Sequence, residues 1–312
     1  MSKILITGAT GFVGACLTED LVREGHEVAV ILRAFSNKWR LKKALPRIRV
    51  IEADLCDATR LGKVIQELNP EVIFHLAAYG GYPFQQDTAQ IINTNIIGTV
   101  NLVSACSQID YKRLVNVSSS SEYGAKLEPM RETDLLEPIN TYGVAKSAAT
   151  LYCQMIARTE KKPIVTVRLF SPFGYYEDKS RLVPSVVLAC LRGANPKLAS
   201  GDPVRDFIFI EDVISLLKRV SQADNVNGKI YNGGFGSQHS VAEMVDLIIR
   251  KSGAKVRPKW GSLPGRKNDS PKWEADLSAV KNELKWAPQV SLEAGVEKTI
   301  AWFQNNLELY PE

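Results

Sequence analysis

Ser119, Tyr142 and Lys146 are the residues of this 312-residue sequence whose types and spacing best suit chemistry. Ser119 follows an apolar run at 114–117, and the other two open a predicted helix as Tyr142-Gly143-Val144-Ala145-Lys146, where i and i+4 share one face. A phenol of pKa ~10 is a poor acid–base catalyst at neutral pH. An ammonium one turn away stabilises the phenolate and lowers that pKa. Ser119, at a strand end, is placed to hydrogen-bond the same substrate oxygen, so the set can deliver or remove a proton. YxxxK alone occurs by chance in many helices. Its place 23 residues after Ser119, and downstream of a glycine-rich turn, makes it specific.

That turn is Thr7-Gly8-Ala9-Thr10-Gly11-Phe12-Val13-Gly14, a GxxGxxG spacing between the first predicted strand and the first predicted helix. Small residues there let the backbone of Gly8, Thr10, Gly11, Phe12, Val13 and Gly14 approach a pyrophosphate at a helix N-terminus. An ordinary βα turn is the alternative reading. With the serine, tyrosine and lysine it indicates hydride transfer to or from a nicotinamide. An acid after the second strand would bind ribose hydroxyls and favour NAD(H), but that place holds Arg33, followed by Ser36, Lys38 and Arg40. A guanidinium offers a fork for a 2′-phosphate. NADP(H) is therefore the expected cofactor and NAD(H) the alternative, which applies if Arg33 is only a solvated cation. Asp54 and Leu55, after the third strand, are placed to meet the adenine, although Asp54 equally suits a turn.

The elements that position these residues follow from periodicity. Apolar runs at 4–6, 28–32, 47–51, 72–76, 114–117 and 164–169 read as buried strands. Between them helical spacing covers 12–24, ended by Gly25, then 59–68, 95–108 and 142–159. Strands without polar alternation, interleaved with helices, indicate a parallel sheet covered on both faces. Beyond residue 170 prolines 172, 184, 196 and 203 punctuate shorter segments, and residues 207–210 form a strand candidate leading into a helix from Asp212. Ser240-Val241-Ala242-Glu243 has the form of a capping box, residues 255–272 read as loop, and short helices are expected at 276–284 and 291–305. The fold class is α/β: a Rossmann-like, doubly wound parallel sheet with a smaller α/β C-terminal substrate-binding cap. Residues 1–170 with about 205–235 make the expected dinucleotide domain, and about 171–204 with 236–312 the cap.

Composition narrows the class further. The chain is 45% hydrophobic with 39 basic and 34 acidic residues, a net charge of +5. That is a mild bias, so no nucleic-acid partner is expected. No apolar run approaches the ~20 residues of a membrane span, and no secretory signal is expected. Cys16, Cys56, Cys106, Cys153 and Cys190 are scattered without a CxxC pair and there are three histidines, so no metal site is expected and a reducing cytoplasm is the expected compartment.

Taken with its other motifs, the sequence resembles the extended short-chain dehydrogenase/reductases, the NAD-dependent epimerase/dehydratase family that works on nucleotide sugars. The likeness runs through TGATGFVG (7–14), HLAA (75–78), NTNIIGT (93–99), SSSSEYG (118–124), YGVAK (142–146), VRLFSPFG (167–174) and RDFIFIEDV (205–213). It implies that Ser119, Tyr142 and Lys146 are catalytic, and that Leu76, Ala77 and Ala78 line the cofactor. It further implies that Ser120, Ser171, Arg181, Arg205 and Arg266 contact a nucleotide sugar, and that two helices, 95–108 and 142–159, pair in a homodimer. His75 reads as a packing residue. Dehydratases of the family place an acid directly after the catalytic Thr or Ser, where this chain has Ser120 and Ser121. Glu122, one step further, is expected to face elsewhere because neighbours on an extended chain alternate sides. The resemblance and Arg33 together favour an NADPH-preferring reductase of a nucleotide-linked 4-keto-6-deoxysugar, with some likeness to GDP-4-keto-6-deoxymannose reductases. An NAD-dependent 4-epimerase is the alternative, and a non-catalytic dinucleotide-binding sensor a remote one.

Overall fold

The computed structural model describes residues 1–82, 84–265, 270 and 272–311. Strands β1 (Lys3–Thr7), β2 (Glu27–Leu32), β3 (Ile48–Glu52), β4 (Val72–His75), β5 (Arg113–Ser119) and β6 (Ile164–Leu169) follow the predicted runs closely. Four short strands and one longer one come later: β7 (Ser171–Phe173), β8 (Val204–Arg205), β9 (Phe207–Phe209), β10 (Ile230–Gly233) and β11 (His239–Ser240). Seven strands form one sheet in the order β10-β6-β5-β4-β1-β2-β3, every pair parallel. This is the Rossmann-like arrangement. Strand order reverses between β1 and β4, and in open α/β sheets ligands bind outside the carboxyl ends of the strands at such a point.

The helices explain why the strands lack polar alternation. On one face α1 (Phe12–Arg23) packs on Ile4, Ile6, Val28 and Val30. On the other, α2 (Ala58–Leu68) covers Leu5, Ala29, Ile31 and Ile73. Each successive strand residue thus meets a different apolar layer. Gly25 takes the left-handed conformation expected of a C′ residue (φ 83°).

The helix predicted at 95–108 starts earlier. Asp87 caps α3 (Thr88–Ile92), accepting from the Gln90 N–H at 3.0 Å, and a π-helical turn at Asn93–Ile97 leads into α4 (Gly98–Cys106). The turn directs Asn95 inward, where its amide exchanges two hydrogen bonds with the Tyr79 backbone (2.8 and 2.7 Å). Turns of this kind bend a helix to satisfy a local demand, here holding the loop after β4. The long helix α5 (Thr141–Thr159) is capped by the Asn140 carbonyl oxygen on the Gly143 N–H.

Beyond β6, α6 (Leu182–Leu191) was not foreseen because Pro184 interrupts the pattern; in a first turn proline costs no intrahelical bond. Helix α7 (Ile210–Gln222) begins two residues before the expected Asp212, and α8 (Val241–Ser252) carries the capping box in full. α9 (Ser278–Leu284) and α10 (Leu292–Asn305) complete the helices. Trp39, Tyr176, Trp302, Phe303 and Tyr310 form a continuous aromatic cluster joining the β2–β3 connection, the β7–α6 loop and α10. Such contacts add about 0.5–1.5 kcal/mol each beyond burial. No helix among the described residues is long and apolar enough to cross a membrane.

Candidate active site

The glycine turn lies at the reversal point of the sheet. A methyl group on Gly8 would stand 2.4 Å from the Ala77 nitrogen, and one on Gly14 would stand 2.2 Å from the Gly8 oxygen. Gly8 also holds φ 75°, where other residues are strained. The turn therefore packs directly on the chain leaving β4. Gly11 caps α1 without a side-chain acceptor, so the first-turn N–H groups at Phe12, Val13 and Gly14 are available to a phosphate. A dinucleotide pyrophosphate fits this cradle.

The floor beneath it is a neutral chain of polar groups. His75 is buried with Nδ1 2.6 Å from Thr7 Oγ1 and Nε2 2.9 Å from Thr99 Oγ1, and burial pulls its pKa down to about 3. This is the packing role expected of it. Leu76 and Ala77 are half-buried and Ala78 exposed along the crevice.

Around the sheet edge, Arg33 and Asp54 are both exposed at the ends of β2 and β3. Asp54 Oδ1 accepts from the Cys56 N–H at 2.8 Å, which is the turn role, and Leu55 is buried. Arg40 corrects an expectation. Its side chain is buried, donating through Nε to Tyr176 O (2.7 Å) and through Nη1 to Thr10 O (3.2 Å), with Asp178 3.7 Å away. It clamps the glycine turn to the β7–α6 loop instead of standing free beside Arg33.

Ser119 ends β5, and its Oγ accepts from the Ser121 N–H and lies 3.1 Å from Ser121 Oγ. Tyr142 opens α5 near enough to Ser119 for the serine to favour its phenolate. Burial raises the Tyr142 pKa; the Arg181 guanidinium and the Ser119 bond oppose this without cancelling it. Burial thus outweighs the groups that favour the phenolate. Lys146 is buried, and its Nζ donates to Val117 O at 2.8 Å, tying α5 to β5. Arg181, a cation that favours the Tyr142 phenolate, lies 4.6 Å over the Tyr82 ring and donates to Gly81 O.

Two further placements differ from expectation. Ser120 is buried within a short 3-10 turn, Ser120–Glu122, so Ser121 and not Ser120 accompanies Ser119. Glu122 does face away, but because of that turn and not through strand alternation. Tyr82, beside Tyr142 and beneath Arg181, had no signal in the sequence beyond its aromatic character. Ser171 is half-buried in β7, while Arg205 in β8 lies 5.6 Å over the Trp273 ring. Arg266 lies outside the described residues.

A model of the NAD-dependent epimerase/dehydratase family matches residues 4–234. The chain belongs to that family. This epimerase/dehydratase-family enzyme is 26% identical to the dTDP-glucose 4,6-dehydratase of Neisseria meningitidis serogroup B, over 98% of this chain and 94% of the relative. Its fold is similar to the UDP-glucose 4-epimerase of Thermotoga maritima, solved with UDP-glucose, at TM-score 0.90, 27% identity and coverage of 97% and 99%. It is also similar to the UDP-glucuronic acid 4-epimerase of Bacillus cereus, solved with UDP-glucuronic acid and NAD, at TM-score 0.88, 26% identity and the same coverage. The extended short-chain dehydrogenase/reductase reading of the motifs is thereby shown, and with it an enzyme of the NAD-dependent epimerase/dehydratase class.

Proposed function

We propose that this enzyme transfers hydride at C4 of a nucleotide-linked sugar without dehydrating it, as an NADP(H)-preferring reductase of a 4-keto-6-deoxysugar. The carrying observation is the fate of the acid nearest Ser119. Glu122 is fully buried and committed to Arg168 (2.8 Å), Ser118 and Thr150 (2.7 Å). Elimination across a sugar ring needs a carboxylate that reaches substrate, and this motif presents serines there. Arg33, in the place of a ribose-binding acid, supports the phosphorylated cofactor.

In this reading the glycine turn holds the pyrophosphate, Asp54 and Leu55 border the adenine, and the nucleotide sugar is held by Ser171 and Arg181 of the cap together with Arg205 and Ser121 at its border with the sheet. The bound nicotinamide supplies the hydride. Tyr142, kept as a neutral phenol by burial, gives its proton to the C4 oxygen, and Ser119 Oγ hydrogen-bonds the same oxygen. Lys146 holds the cofactor side of α5 in register with β5 and lends its positive charge. Purified protein should oxidise NADPH with a nucleotide-linked 4-keto-6-deoxysugar. Protein that carries stoichiometric NAD and interconverts C4 epimers without net redox would instead establish the second reading, a 4-epimerase, which the likeness to the Thermotoga maritima enzyme favours. A thermal-shift screen of GDP-, CDP-, UDP- and dTDP-linked ligands would identify the base.

The expected homodimer has a face to use. Val144, Leu151 and Met155 lie exposed at helical spacing on α5, Leu151 to 56%, with Ile92 and Ile97 exposed on the adjoining helical segment. In a two-fold interface each substitution acts twice. Leu151→Glu should therefore weaken dimerisation by at least ~100-fold, since a buried unpaired charge costs several kcal/mol. Light scattering would show half the wild-type mass; an unchanged mass, or a monomeric wild type, rejects this interface.

A further inference from the structure

Glu122 has no part in the proton transfer described above, yet it is a fully buried carboxylate at the centre of the site's support. A carboxylate out of water is costly unless charges and donors compensate it. Its donors come from three elements: Ser118 on β5, Thr150 on α5 at 2.7 Å, and Arg168 Nε on β6 at 2.8 Å. Arg168 is itself fixed, with its guanidinium 4.6 Å from the Tyr123 ring centre and Nη1 donating to Glu132 O at 3.3 Å. Ser118 directly precedes Ser119. Thr150 lies one turn beyond Lys146 on the same face of α5. The carboxylate thus joins the strand end bearing Ser119 to the helix bearing Tyr142 and Lys146.

The charges around Lys146 give this junction a second consequence. The titratable groups acting with Lys146 are Glu122 from the 3-10 turn, Cys153 from α5 and His75 from β4, and Glu122 is itself paired with Arg168 from β6. His75 is neutral, and burial pushes the Cys153 thiol up to about 12, so it is neutral too. The carboxylate paired with Arg168 is therefore also the anion that acts on Lys146, whose Nζ is held on Val117 O beside Ser118. We propose that Glu122 is the positioning residue of this active site, locking β5 to α5 and supplying the counter-charge that keeps Lys146 an ammonium during turnover. Burial alone lowers the Lys146 pKa, and Glu122 is the largest opposing influence. This inference rests on the role given to Lys146 above.

The test reads the alkaline limb of pH dependence, where Lys146 loses its proton. Glu122→Gln keeps the shape and removes the anion, and should move that limb of kcat/KM to lower pH by at least one unit. Arg168→Gln removes the competing cation and should move it to higher pH. The double variant Glu122→Gln/Arg168→Gln should return it toward the wild-type position. Thr150→Val, which removes a hydrogen bond and no charge, should leave it in place. Either single variant that folds decides the matter. Limbs that stay fixed, or a double variant no better than Glu122→Gln, would overturn the counter-charge role. NADPH binding followed by nicotinamide fluorescence should show the same shifts without any sugar substrate. That separates failure of this inference from failure of the proposed reaction, which would show as a wild type that turns over no nucleotide sugar.

Discussion

Tyr142→Phe should lower kcat by roughly 10²–10⁴-fold while leaving dinucleotide affinity nearly unchanged. The substitution removes one oxygen atom from a ring that stays packed in place at the start of α5. Its hydroxyl is the one in reach of Ser119 and Arg181, and burial holds it as a protonated donor at neutral pH. Tyr123, the tyrosine of the preceding motif, cannot substitute, because it is fully buried and donates to Asn232 at 2.7 Å. Single-turnover kinetics with saturating cofactor is the deciding measurement. A variant retaining a tenth of the wild-type rate would remove Tyr142 from the proton path.

A gain in stability is expected from Glu177→Gln, and the gain should grow with pH. Glu177 is buried in the β7–α6 loop, and its Oε2 has no hydrogen-bond partner. Burial pushes its pKa up to about 8 against the pull of Arg181 and Arg40. The native protein therefore keeps this proton to about pH 8, whereas the unfolded chain releases it near 4.5. Between those values unfolding releases a proton, so rising pH favours the unfolded state. The cost reaches about 3 kcal/mol at pH 7, and glutamine does not incur it. The neutral His75 acts in the opposite sense, destabilising the protein as pH falls from 6.5 toward 3, but it is common to both proteins and cancels in the difference. Urea unfolding at pH 5 and pH 8 should show a small gain at the first and a large one at the second. An equal difference at both would mean that Glu177 is ionised throughout the range.

Much of the architecture was legible because its signals are local. The glycine spacing, the i and i+4 placement of Tyr142 and Lys146, and the Ser240 capping box each depend on a few adjacent residues. Where the reading went astray, a distant partner intervened. The helical stretch expected at 95–108 opens on a π turn at Asn93–Ile97, where Asn95 is drawn to Tyr79. Arg40 follows Arg33 closely in the chain, yet Tyr176, 136 residues away, claims its Nε.

The same distinction runs through the site. The sequence by itself determined the alternating βα framework, the glycine turn between β1 and α1, and the one-turn spacing of Tyr142 and Lys146, since backbone periodicity and helix geometry place those residues whatever surrounds them. Tertiary structure decided which charges meet there. Arg181 reaches Tyr142 from a loop folded back onto Gly81, 100 residues earlier in the chain. Glu122 is withdrawn from the pocket by Arg168, 46 residues on, in the neighbouring strand. Coulomb interactions and desolvation depend on distance in space and on what excludes water, and neither is written in the spacing of residues along the chain.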